Sequence, residues 1–73
     1  MPHMEQQASS AKPVVYKSYG TFECIGHATT PHLATVVFAV GCPSLADQPV
    51  RVLERLVRLD GSLRSAYVVE RVT

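Results

Sequence analysis

The sequence lacks most of the features that announce a biochemical activity. With 7 basic and 6 acidic residues among 73, its formal net charge is only +1. It therefore has none of the clustered positive excess that nucleic acids and anionic membranes normally demand. No apolar run reaches 18 residues, which leaves no candidate for a membrane-spanning helix. The N-terminus has no charged segment followed by an apolar one, so it does not read as a secretory signal, and the cytoplasm is the expected compartment. A glycine-rich phosphate loop is missing. The six acids are scattered singly rather than paired for acid–base work.

What is present is enough apolar material to fold. Hydrophobic residues make up 47% of the chain, and its length fits one small domain. A domain this short buries only about 60% of its unfolded surface, so its stability is marginal and a staple or a partner subunit is expected. Residues 1–13 read as a weakly ordered arm: Met1-Pro2-His3-Met4 resembles a cloning scar, with Met4 as the natural start. The polar stretch from Glu5 to Lys12 has no period. The folded part is expected over 14–73.

Four elements are predicted there. Val14 to Ile25 is rich in β-branched and aromatic residues and reads as a strand, with Gly20 marking a bend. A break carrying Gly26 and Pro31 follows, and Leu33 to Val40 reads as a second strand, apolar on both faces. Paired as a hairpin, the two strands set Phe22 opposite Phe38 and Cys24 opposite Val36. Gln48 to Leu59 reads as an amphipathic helix: its aliphatic residues fall within one half of a helical wheel, opposite Arg51, Glu54, Arg55 and Arg58. Asp47 or Gln48 caps it, Pro49 suits its first turn and Gly61 its stop. The rival is a hairpin turning at Asp60-Gly61. It places Val57 against Arg64 and Leu56 against Ser65, which makes neither side a coherent apolar face, so the helix is preferred. Ser62 to Val72 reads as the last strand. The expected fold is α+β in the order β-β-α-β: a three-stranded mixed sheet with one amphipathic helix on one face.

That architecture leaves the second face of the sheet uncovered. Tyr19, Ile25, Leu33 and Val37 are expected there, softened by Thr21 and Thr35. A contiguous apolar patch is rarely left wet, and a symmetric homodimer covers it economically. The N-terminal arm is the alternative cover.

Cys24, His27, His32 and Cys42 are the one constellation resembling a metal site. In the expected hairpin Cys42 stands some ~20 Å from Cys24, which rules out four-ligand zinc and an intramolecular disulfide alike. A three-ligand set of Cys24, His27 and His32 remains, set against the simpler reading of exposed turn histidines and a cysteine in the core. No cofactor is expected, and no catalytic residue is assigned. Arg51, Arg55 and Arg58 form a stripe, which Arg64 and Arg71 could join, that is either an anion or nucleic-acid surface or, with Glu54, an ordinary solvated helix face.

The functional expectation is a non-enzymatic homodimeric module that binds another macromolecule, with protein the preferred partner. Nucleic acid, through the arginine-rich helix face, is the disfavoured one, and no membrane is involved. A third reading is a small-molecule binder with an intersubunit pocket beside Tyr19 and Gly20.

Overall fold

Two tight turns, Tyr19-Gly20 and Asp60-Gly61, organise the chain. Each has positive φ at both central positions, 53° and 83° in the first and 52° and 81° in the second. That is the type I′ geometry whose twist matches a two-stranded ribbon. The structure, a computed structural model, describes residues 10–72.

The first turn joins β1 (Lys12–Ser18) to β2 (Thr21–Ala28), and the second joins β3 (Val50–Leu59) to β4 (Ser62–Arg71). Between the hairpins run α1 (Pro31–Gly41) and a short 3₁₀ turn, Pro43–Leu45. The sheet order is β2-β1-β4-β3, with both hairpins antiparallel and the central pair β1 and β4 parallel.

The fold is thus α+β with a mixed sheet and one helix, as expected, but the sheet has four strands rather than three. The order is β-β-α-β-β. The segment from Leu33 to Val40 is helical, not extended. Its start is built by Thr30, whose hydroxyl accepts from the Leu33 amide at 3.1 Å, and by Pro31 in the first turn. The Cys42 amide closes the other end on the Phe38 carbonyl at 2.8 Å.

The segment from Gln48 to Leu59 is in turn not a helix. Its residues from Val50 onward form β3, paired through Asp60-Gly61 in the register that sets Val57 against Arg64 and Leu56 against Ser65. Phe22 and Phe38 are not partners; they lie on opposite faces of the sheet. As for the arm, β1 already takes in Lys12 and Pro13, while the proposed scar and start at residues 1–4 lie outside the described residues.

Two separate cores result. Beneath α1, Ala34 and Phe38 pack on Val14, Tyr67 and Val69, and Tyr16 stacks at a tilt 5.5 Å from the Phe38 ring. Tyr67 is 3% exposed and donates its hydroxyl to the Thr29 carbonyl at 3.2 Å, so its polar end is satisfied where the helix begins. Gly26 lets α1 approach β2 closely: a Cβ there would stand 2.6 Å from Val37 Cγ1.

On the far face, Val15, Val57, Leu59, Ala66 and Val68 form the second core with Phe22 at its border. The outer strands β2 and β3 touch there although two strands separate them in the sheet. The sheet therefore curls, and the tip of the long β3–β4 hairpin folds back over β2. No helix among the described residues is long and apolar enough to cross a membrane.

Candidate interaction surfaces

The outer side of α1 carries no charged residue. With Ala34 and Phe38 turned to the sheet, helical spacing directs Leu33, Val36 and Val40 outward, and they are 44%, 45% and 77% exposed. Beyond the helix, on the same side of the sheet, Leu56 and Leu63 are also open to solvent.

The far face of the curled sheet is of different character. A hollow of about 430 Å³ is lined by Lys17, Phe22, Arg55, Val68 and Glu70 among others. A second, of about 290 Å³, is lined by Phe22, Cys24, His27, Leu59, Asp60 and Arg64 among others. Phe22 belongs to both, so the two hollows form one trough with that ring near its middle. Lys17 holds its ammonium 5.7 Å from the ring centroid, a cation–π contact. The strand register puts Arg51, Arg55, Arg64 and Glu70 on this same face. Arg51 pairs with Glu70 at 3.2 Å. Among the described residues, Lys17, Arg55 and Arg64 have no carboxylate partner.

The expected dimer surface is dispersed. Tyr19 is fully exposed at the first turn with Thr21 beside it, whereas Leu33, Thr35 and Val37 sit on α1 and Ile25 is half-buried against the helix-side core. Val37 and Ile25 face inward, and of the six only Leu33 belongs to the exposed helix stripe. The expected arginine stripe is split as well. Arg51 and Arg55 share the far face, while Arg58 has the alternate register position, donates to the Gly61 carbonyl at 3.4 Å and lines the second hollow near Arg64. Arg64, outside that trio, joins the far-face group. The signal for it was present in the pairing across Asp60-Gly61.

Cys24 and His27 stand on the far face of β2, separated from His32 on α1, and no group of three potential metal ligands occurs among the described residues. The Cys24 thiol is exposed rather than in the core and donates to the Gly26 carbonyl at 3.4 Å. Cys42 is half-buried against the helix-side core, and both thiols are free.

On the helix side, Lys12 and Glu54 pair at 2.8 Å, with the ammonium 5.2 Å from the Tyr67 centroid. Their hydrogen bond holds the Glu54 carboxyl below its ordinary range and lifts Lys12 above its own. Both charged forms are therefore favoured at neutral pH, and the pair carries no net charge. Compared with protein-family models, curated proteins and solved structures, the chain matches none of them.

Proposed function

We propose that the chain is a non-enzymatic interaction module that works as a homodimer, its copies meeting through the outer face of α1, and that the dimer presents its sheet to another macromolecule. The observation that carries this reading is the uncharged helix with Leu33, Val36 and Val40 exposed at i, i+3 and i+7. Aliphatic side chains so arranged form one stripe, and a stripe without charge is complementary to itself across a two-fold axis. Leu56 and Leu63, 70% and 59% exposed on the same side, extend the apolar area toward the ~800 Å² per partner of a stable interface. An interaction role rather than catalysis is favoured by the state of Cys24. Its thiol is tied to the carbonyl of Gly26, two residues along its own strand, instead of to a base that would activate it.

Two substitutions test the pairing without harming the monomer. Leu33→Glu places a carboxylate three residues after the Thr30 cap, where it completes a capping box. Val40→Lys sets a cation in the last turn, where the helix dipole favours it. Light scattering across a micromolar concentration series is expected to give a dimer for the parent and a monomer of unchanged circular dichroism for the double variant. A parent that stays monomeric throughout refutes the pairing.

A further inference from the structure

We infer that the trough on the far face of the sheet is a binding surface for single-stranded nucleic acid, running from Lys17 past Phe22 to Arg64. This rests on reading the chain as an interaction module but not on self-association, because α1 lies on the opposite side of the sheet.

Charge is the first argument. The chain is almost neutral overall, yet among the described residues the cations without a carboxylate partner line the two hollows: Lys17, Arg55 and Arg64, and also Arg58 and Arg71, which are tied to the Gly61 carbonyl and to Gln48. Two acids line the trough: Glu70, held by Arg51 at 3.2 Å, and Asp60, at the turn that ends it beside Arg64. Glu54 is on the helix side and neutralised by Lys12. Such segregation is how a near-neutral domain attracts a polyanion to one surface and not to another.

Spacing is the second. Arg55 is level with Ala66, two residues from Arg64, and Lys17 is one residue beyond the Tyr16–Val69 pair. At ~3.3 Å per residue the three cations span roughly 20 Å of trough. That length suits the lower end of the range for sheet surfaces that hold single strands, ~4 nucleotides.

The third argument separates nucleic acid from an acidic peptide. A sheet takes up an extended peptide at an edge, where free N–H and C=O groups are available. At the floor of the trough, around Val68, those groups are already used in the ladders on both sides, and there only side chains can recognise a ligand. Here the side chains are cations around a half-buried phenyl ring and the apolar floor at Val68. Phosphates answer the first and a base the second. Lys17 caps the ring from a flexible stem, and its transfer to a phosphate uncovers the ring for stacking.

The experiment is fluorescence anisotropy with a labelled 12-mer of oligo-dT and the full chain, over a salt series from 20 to 200 mM. Binding is expected at low salt, with log K falling against log salt at a slope of about −2, the value for three phosphates on a single strand. Arg55→Ala and Arg64→Ala are each expected to flatten the slope by ~0.7. Phe22→Leu, which keeps an aliphatic group against Val15 and Leu59, should weaken binding by about tenfold through lost stacking. The double variant Leu33→Glu/Val40→Lys should still bind as a monomer, which separates this proposal from the dimer. The inference is overturned by no anisotropy change at 20 mM salt, by duplex DNA binding as tightly as the single strand, or by a Glu-rich peptide displacing the oligonucleotide at equal charge concentration.

Discussion

Tyr19 is an ill-suited occupant of its own position. With φ at 53° its backbone is left-handed, a conformation that costs a residue with a Cβ about 1 kcal/mol unless its side chain is short and polar. The ring recovers nothing, since it is fully exposed. The other turn, with Asp60 at φ 52° ahead of Gly61, uses the residue types that this geometry prefers. Tyr19→Asn is therefore expected to stabilise the fold by about 0.5–1 kcal/mol, read as a rise in the midpoint of thermal or urea unfolding with an unchanged urea m-value. A fall in the midpoint would mean that the exposed ring makes a contact in solution, as an assembly through the β1–β2 turn would require.

At the scale of elements, the lesson is why two segments exchanged their expected conformations. The last strand was legible, because turn residues and β-branched residues agreed there, whereas the break expected from Gly26 is only Thr29 and Thr30, β2 running on to Ala28 and the helix starting at Pro31. β3 was not legible, because it serves both cores. Val50 and Val52 pack toward α1, whereas Val57 and Leu59 are buried on the far face, so the period-two pattern changes phase at the exposed Glu54, Arg55 and Leu56. Spread over ten residues, a phase change in a strand imitates a helical period. The same crossing explains why pairing across Asp60-Gly61 offered no coherent apolar face: the curl of the sheet buries Val57, and no local pattern encodes that curl.

In α1 the error ran the other way. Val36, Val37 and Val40 are β-branched, and the missing polar face removed the amphipathic signal. The discriminating information lay in Thr30-Pro31, a cap and a first-turn proline that also look like a break. The candidate surfaces suffered in turn: Arg64 was expected as an addition to a helical stripe, whereas the hairpin register is what sets it on one face with Arg51 and Arg55.

One contact tests how α1 is seated. Gly26→Ala would drive a methyl to within 2.6 Å of Val37 Cγ1, and is expected to cost about 1–3 kcal/mol by overpacking. Adding Val37→Ala empties that space, so the double variant should recover part of the loss. Chemical denaturation of the four proteins in the cycle measures the coupling. Additive effects would show that α1 does not rest against β2 at Gly26.

For the molecule as a whole, the question is what makes two local hairpins unfold together. They are stitched by a short parallel seam, Val14–Tyr67, Val15–Val68 and Tyr16–Val69, whose middle pair is 0% and 2% exposed. Alternate side chains of that seam enter opposite cores: Val14, Tyr67 and Val69 lie under α1, and Val15 and Val68 in the far-face core. A defect on either face thus acts on the same backbone ladder, so the two cores are expected to unpack together. Val15→Ala, on the side away from the helix, is expected to cost about 2 kcal/mol and to lower the unfolding midpoint equally by two probes. One is far-UV circular dichroism at 222 nm, which follows α1, and the other is Tyr16 and Tyr67 absorbance, which follows the helix-side core. If the helix signal instead melted apart from the tyrosines, the halves would be separate units and the seam a mere contact. Coincident curves would mean that occupation of the sheet's far face is felt by α1 on its other side, through three pairs of residues and no hinge.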